Sequence, residues 1–159
     1  RDFRVGMTCH SRSAQSQFNV GHASKVTSLF ARIYLMTGAI LAGLSVVLSA
    51  ALVHLPLFAS GLPVMVQTAL TQHQFHSLGL MLVGLALPHR PSRWLISAGA
   101  LMLAGTVLFS FNIYARSVLG WDAARSLVPW GGTCWILAWV CLAWGVGQRG
   151  HKAISNLGD

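Results

Sequence analysis

The sequence is poor in charged residues, and acidic residues are the scarcest of all. Of the 159 residues only 9% are charged, with three Asp or Glu against eleven Lys or Arg. Soluble domains carry roughly 25% charged residues, and a chain with so few cannot cover a water-facing surface of its own size. The composition therefore argues against a soluble globular enzyme.

Cysteine and the familiar catalytic motifs are also scarce or missing. The chain has only Cys9, Cys134 and Cys141, and the last two lie in an apolar stretch, so no disulfide framework is indicated. The sequence has no glycine-rich phosphate loop, no Gly-x-Ser-x-Gly elbow and no paired carboxylates. We therefore predict a protein that is not an enzyme and has no catalytic residue, metal or cofactor.

Long apolar stretches dominate the sequence, which is 54% hydrophobic with a mean hydropathy of +0.60. A bilayer core about 30 Å thick is crossed by roughly 20 helical residues. Four stretches reach or approach this length, at residues 33–53, 67–87, 94–115 and 130–147. Because the connections between them are short, neighbouring helices should be antiparallel. The predicted fold is all-α, an integral membrane four-helix up-down bundle.

This bundle accounts for residues 29–147, between two polar ends. Residues 1–28 have no apolar helical stripe and are predicted to be a disordered tail, and residues 148–159 a short cytoplasmic tail. The sequence starts at Arg1, so it is either a fragment or has a start placed upstream of the true one, and we attach no function to the tail. Ser49-Ala50-Ala51 leaves open a signal peptide ending there.

Basic residues are distributed unequally between the two ends of the predicted helices. Nine of the eleven Lys and Arg residues fall on the side of the termini, and only Arg116 and Arg125 fall on the other side. Loops rich in Lys and Arg stay in the cytoplasm, so we predict a multi-pass protein of the bacterial inner membrane with both termini cytoplasmic. The formal charge of +8 then suits anionic lipids as partners, not nucleic acid.

Small residues recur at helical spacing and are predicted to mediate helix packing, because helices in lipid associate through close backbone approach. A third helix offers Ser97, Ala100 and Ala104. The first helix offers Gly38, Ala42, Ser45 and Ser49, and the fourth repeats their spacing with Cys134, Ala138, Cys141 and Gly145. The paired Gly131 and Gly132 would also let another backbone come close.

Polar side chains in the predicted spans concentrate towards the outer end of the bundle. Polar groups are costly in hydrocarbon, so their clustering is the best pointer to a binding site. The second half of helix two is apolar, and Leu82, Val83 and Leu85 are expected beside a closed, dry plug. The predicted cluster comprises Gln67, Thr71, His73, Gln74, His76, Asn112 and Tyr114.

His73 and His76 are three residues apart, about 60° around a helix, so both could bind one metal if a neighbour supplied further ligands. No Asp or Glu lies in the predicted spans, and a stable site would need a third protein ligand, such as His54 or Cys134. The favoured interpretation is that the two histidines form hydrogen bonds across helices. Metal or haem ligation, binding of a lipid or quinone head group, and proton relay remain open alternatives.

The third connection, residues 116–129 between the third and fourth predicted helices, has two features with plain structural explanations. Asp122 lies between Arg116 and Arg125, which predicts an ion pair that fixes the loop. Pro129 suits the first turn of helix four, where its missing N–H is not needed.

Several of these segments together resemble the YgdD-like family of small membrane proteins, domain of unknown function 423, which is similar to animal transmembrane protein 256. The resemblance covers about residues 29–147 and rests on residues 75–85, 98–110, 129–132 and 138–139, with His54, Tyr114 and Gln67-Thr-Ala69. It implies a four-helix bacterial inner-membrane protein and argues against cleavage after Ala51.

The family's distinctive positions are occupied here by Gln67, His76, Tyr114, Pro129, Gly131 and Gly132. The chain departs from the pattern at His73, at Phe111 and Asn112, and in its long N-terminal segment. The family has no established activity. The sequence predicts a structural or accessory protein that binds lipid or a larger membrane complex. The alternative is a cofactor-binding or small-solute transport protein that uses His73 and His76.

Overall fold

The structure is a computed structural model that describes the backbone of residues 3–148 and the side chains of residues 25–148. This part of the chain is helical, without a β-strand, and forms four helical rods. The third rod consists of α3, a π-helical segment at Thr106–Phe111 and α4, in direct succession. The α-helices are α1 (Phe3–His54), α2 (Val64–Ala86), α3 (Arg93–Gly105), α4 (Asn112–Leu119) and α5 (Val128–Gly147).

Three of the rods contain segments long and apolar enough to cross a membrane, namely Lys25–His54, Arg93–Leu119 and Arg125–Gly147. These segments overlap three of the four predicted spans. The remaining prediction, residues 67–87, coincides with α2, which is long enough but less apolar. The glutamine and histidine side chains in its first half lower its hydropathy.

The first helix extends upstream of the predicted span. Residues 3–28 were predicted to be part of a disordered tail, but their backbone is helical and continues α1 upstream of the predicted domain boundary at residue 29. The sequence has no proline before Pro56, and nothing there interrupts a helix that continues out of an apolar span. The side chains of residues 1–24 and the tail at residues 149–159 lie outside the described part.

Proline and glycine set the limits of the rods as their chemistry requires. Pro129 occupies the first turn of α5, which confirms its predicted place. Gly120 ends α4 in a left-handed conformation, with φ of 67°, and its N–H bonds to the carbonyls of Ala115 and Arg116. In the same connection, Arg116 Nε lies 2.7 Å from Asp122 Oδ1. This confirms the predicted ion pair, a solvated contact of the kind that contributes about 0.2–1 kcal/mol.

Helices α1 and α2 pack antiparallel through two glycines. A Cβ placed on Gly38 would lie 2.9 Å from the carbonyl oxygen of Ser77, and one on Gly84 would lie 2.9 Å from that of Ala31. The two backbones therefore approach closely, as small residues allow in membrane helices. Ser45, from the predicted set, is buried and donates a hydrogen bond to the carbonyl of the half-buried Ala42.

The third rod and α5 pack antiparallel in the same manner. Gly131 lies against the backbone of Phe109, Gly105 lies against the indole of Trp135, and Ala138 is fully buried. The prediction for Gly132 is wrong, because a Cβ there would meet no atom within 4 Å. Cys134 is only half-buried.

The packing face of α3 differs from the predicted one. Ser97 and Ala100 are exposed and Ala104 is half-buried, whereas Ala98 and Gly99 are buried. The ring of Tyr34 from α1 fills the notch at Gly99, and its hydroxyl donates a hydrogen bond to the Ile96 carbonyl at 2.8 Å. The face lies one residue away from the predicted small-residue stripe.

Two apolar clusters form the interior, one near each end of the rods. Leu80, Val83 and Met102 belong to the larger cluster, which carries no charged group. Val83 is thus buried, whereas Leu82 and Leu85, which were expected beside the same plug, are 55% exposed. The outer surface is itself apolar, a feature that soluble monomers avoid, and its most exposed side chains include Met36, Ile40, Val46, Val47, Ile136 and Val140.

We predict that Gly99→Leu lowers the free energy of unfolding by about 1–3 kcal/mol, because the new side chain must displace the Tyr34 ring. Thermal unfolding of the purified protein in detergent measures the effect. Ala100→Leu is the matched control, since Ala100 is exposed on the same turn. Equal unfolding midpoints for the two variants would contradict this packing.

Candidate functional site

The polar first half of α2 faces two different neighbours, and the single polar cluster predicted from sequence is divided between them. His73 faces α4 and the π-helical segment, whereas His76 faces α5. Although the two residues are only three apart, the angle between them around the helix is enough to direct their rings to different helices.

His73 is completely buried beside aromatic rings. Its Nδ1 lies 3.4 Å from the hydroxyl of Tyr114, and its ring packs edge-on against Phe111 with ring centroids 5.3 Å apart. Its Nε2 has no hydrogen-bond partner. A buried nitrogen without a hydrogen bond is destabilising, and Nε2 of His73 remains without a partner in either neutral tautomer.

His76 is also buried, but both of its nitrogens have partners. Its Nδ1 lies 2.8 Å from the carbonyl oxygen of Gln72, and its Nε2 lies 3.2 Å from the indole nitrogen of Trp139. A carbonyl only accepts and an indole N–H only donates, so Nδ1–H donates to Gln72 and Nε2 accepts from Trp139. This arrangement holds His76 in one neutral tautomer.

The His76 ring is further held by stacking. Its plane lies 5° from that of Trp135, with ring centroids 4.0 Å apart, and Phe75 packs against it edge-on at 5.3 Å. Trp135 in turn donates its indole N–H to the Met102 carbonyl of α3 at 3.3 Å. His76 therefore connects α2 to α5, and Trp135 connects the same site to α3.

The π-helical segment positions the partners of His73. A π turn contains more residues than an α turn and rotates the side chains that follow. Here it lies directly before Asn112, Ile113 and Tyr114, all of which are buried. Within the segment, Ser110 donates a hydrogen bond to the Ala69 carbonyl of α2 at 3.0 Å. The wide turn thus fits the third rod against the polar half of α2.

The other predicted members of the polar cluster bond to nearby backbone and do not join the histidines. The Gln67 side chain donates to the Leu62 carbonyl, and the Thr71 hydroxyl donates to the Gln67 carbonyl. Gln74 is exposed. Asn112 Nδ2 donates to the Ala124 carbonyl at 2.6 Å and ties α4 to the third connection.

A groove of about 370 Å³ opens outward beside His76, between α2 and α5. Gly132 lies on its wall. Among the polar side chains that line it, Gln72 is the one that makes no hydrogen bond within the described part of the chain. Its remaining walls are mainly aromatic, from Phe75, His76, Phe109, Trp135 and Trp139. Neither tryptophan is among the site residues predicted from the sequence, although their spacing of four residues places them on one face of α5.

The geometry does not favour a metal held jointly by His73 and His76. Both His76 nitrogens bond to protein groups, so ligation would break one of these bonds. Within residues 25–148, no three His, Cys, Asp or Glu side chains are grouped where they could hold one ion. The groove can instead accept an apolar or planar group, to which the Gln72 amide could hydrogen bond.

The segment from α2 through the start of α5 is similar to one family of known proteins. Residues 61–132 match the model of the protein family of unknown function DUF423. The UPF0382 membrane protein YwdK of Bacillus subtilis is 36% identical over 76 residues, which are 47% of this chain and 62% of the relative. The UPF0382 inner membrane protein YgdD of Escherichia coli K12 is 27% identical over 91 residues, which are 57% of this chain and 70% of the relative.

The chain thus spans less than two thirds of the length of YwdK. No solved structure matches it. The matched region contains His73, His76, Tyr114 and the π-helical segment, and the relatives carry the name of membrane proteins. Residues 61–132 of the chain thus resemble the DUF423 family, and these relatives are named membrane proteins.

Proposed function

We propose that all four rods cross the bacterial inner membrane as one bundle, with both termini in the cytoplasm. Three rods have the required length and apolarity. For α2, support comes from its outward side chains Leu78, Leu82 and Leu85, which suit contact with lipid. The short connections make consecutive rods antiparallel. If α2 also crosses the membrane, nine of the eleven basic residues lie on the same side as the termini, which the distribution of basic residues assigns to the cytoplasm.

Exposed tryptophans near both ends of the rods support the same placement. Trp94 and Trp144 pack together near one end, and Trp121 and Trp130 lie near the other. Indole rings favour the boundary between hydrocarbon and head groups. Two such levels are expected where a bundle spans the whole bilayer.

We further propose that the protein is a non-enzymatic structural or accessory component of this membrane, which binds lipid or a larger membrane complex. The observation that carries this proposal is the bonding of His76. A histidine that acts as an acid, a base or a ligand needs an available nitrogen, and both nitrogens of His76 are engaged by Gln72 and Trp139.

The position of His76 gives this bonding a structural role. Helices α2 and α5 touch at few points, and a groove separates much of their length. The bond from Trp139 to His76, at 3.2 Å, and the stacking on Trp135 join them across this gap. A net stabilisation of about 0.5–1.5 kcal/mol is typical of one such hydrogen bond.

A second candidate function is the binding of a quinone-type ligand in the groove beside His76. The lining is aromatic, which suits stacking on a planar ring, and the Gln72 amide can donate a hydrogen bond to a ring carbonyl. The groove opens towards the surface that we assign to lipid, so a lipid-soluble ligand could enter it. This proposal leaves the His76 bonds in place and requires no change at the buried ring.

The transmembrane proposal is tested by cysteine labelling of intact cells, in a chain whose three native cysteines are replaced by serine. Ser60→Cys and Ala123→Cys should react with a membrane-impermeant reagent from outside. His89→Cys should react only after permeabilisation, because basic loops are retained in the cytoplasm. Labelling of positions 60 and 89 from the same side would show that α2 does not cross.

The structural role of His76 predicts energetic coupling to Trp139. His76→Ala leaves the Trp139 N–H without its acceptor and should lower the free energy of unfolding by about 1–3 kcal/mol. A double-mutant cycle with Trp139→Phe should give a coupling energy of about 0.5–3 kcal/mol. The free energy of unfolding is measured in mixed detergent micelles for the wild type, the two single variants and the double variant.

The control cycle pairs His76→Ala with Trp144→Phe, whose ring packs on Trp94 instead. These effects should be additive to within about 0.5 kcal/mol. A visible Soret band, or near-stoichiometric metal that is lost in His76→Ala, would overturn the structural role.

The quinone proposal predicts saturable quenching of tryptophan fluorescence by a short-chain quinone. Gly132→Leu should abolish the quenching because its side chain fills the groove, and Gly43→Leu should not. Neither glycine has an atom within 4 Å of a new Cβ, which makes them a matched pair. Gln72→Leu should weaken binding about 2- to 10-fold through the loss of one hydrogen bond. Unsaturable quenching, equal in both glycine variants, would refute the proposal.

A further inference from the structure

A second groove, of about 420 Å³, runs between α2 and α5 on the side of their C-terminal ends. Trp139 lines both this groove and the one beside His76, so the two meet at that ring. The side chains that line the second groove are all apolar, namely Leu82, Ala86, Trp139, Leu142, Ala143 and Val146. An open apolar channel parallel to membrane helices has the form required for a hydrocarbon chain.

Arg90 lies at the mouth of this groove. Its Nη1 donates a hydrogen bond to the carbonyl of Val146, itself a lining residue, at 2.6 Å. A guanidinium has five N–H donors, so this bond leaves most of them available. Arg90 is therefore fixed beside the groove with donors to spare.

The positive charge at this mouth has no carboxylate partner in the described part of the chain. Asp122 is the one acidic residue in that part of the chain, and it pairs with Arg116 in the third connection, at the opposite end of the rods. Arg93, exposed in the first turn of α3, adds a second positive charge to the same loop. The start of α3 also carries the partial positive charge of a helix N-terminus.

We infer that the groove between α2 and α5 binds an acyl chain of an anionic phospholipid, whose phosphate pairs with Arg90. The charge at the mouth and the apolar wall below it match the two parts of such a lipid. A guanidinium matches the oxygens of a phosphate with two parallel hydrogen bonds. The inference rests on the proposed membrane arrangement and names the class of lipid that the protein binds.

A head group with its own positive charge fits this mouth less well. Phosphatidylcholine carries a phosphate but also a quaternary ammonium, which Arg90 and Arg93 repel. Phosphatidylglycerol carries only the negative charge. We therefore expect each basic residue near the head group to favour phosphatidylglycerol over phosphatidylcholine by about fivefold. This factor corresponds to the usual attraction between an anionic lipid and one Lys or Arg side chain.

The test is native mass spectrometry of the full chain in detergent micelles that contain phosphatidylglycerol and phosphatidylcholine at equal concentration. The wild-type protein should retain phosphatidylglycerol preferentially. Arg90→Gln should reduce this preference about fivefold. Ala143→Phe should reduce the retention of both lipids, because Ala143 is exposed and its replacement fills the groove without entering the protein interior.

Two matched controls lie elsewhere on the surface. Arg125→Gln removes a basic residue at the opposite end, and Ala100→Phe adds the same ring to an exposed alanine on α3. Both should leave lipid retention and preference unchanged. Should Arg90→Gln fail to fold after losing its bond to Val146, Arg93→Gln is the second variant, for which we expect a reduction of the same size.

An unchanged preference in Arg90→Gln or, where it does not fold, in Arg93→Gln would overturn the inference. Full retention of lipid by Ala143→Phe would do so as well. Either result, combined with the expected cysteine labelling and His76–Trp139 coupling, would leave the proposed membrane bundle standing. Labelling of positions 60 and 89 from one side would instead remove the arrangement on which both proposals depend.

Discussion

A polar side chain inside hydrocarbon has no water to bond to, so its hydrogen bonds must be made within the protein. In the polar half of α2, most buried polar side chains make such bonds, and Nε2 of His73 is the exception. His76 bonds to its own helix and to α5, Ser77 bonds to the His73 carbonyl, and Ser110 of the π-helical segment reaches back to α2. Of these bonds, that of His76 joins α2 to α5 and that of Ser110 joins α2 to the third rod.

Other contacts between the helices pair an aromatic ring on one helix with a glycine on its neighbour. Two bulky rings, Tyr34 and Trp135, each lie against a glycine of α3, and each donates a hydrogen bond to a backbone carbonyl of that helix. The missing side chain provides the space, and the ring fills it while its polar atom finds an acceptor. Between helices that share only apolar surroundings, such pairs give the packing its specificity.

The sequence predicts the long helices well, because apolar length and proline positions are local properties. Pro129 and the Asp122–Arg116 pair could be placed for the same reason. The orientation of α3 could not, since lipid-facing and core-facing side chains are both apolar and the stripe at Ser97 and Ala100 has no distinguishing chemistry. The π-helical segment and the separate partners of the two histidines depend on neighbouring helices, which no local pattern encodes.

Helix α2 packs closely on α1, and α5 packs closely on the third rod, but the seam between α2 and α5 stays open along both of its grooves. An occupant of either groove would arrive by lateral diffusion within the bilayer. Neither aqueous compartment would take part in the exchange, and no connecting loop would have to move. The abundance of a ligand among the surrounding lipids, rather than its concentration in water, would then determine how often the seam is filled.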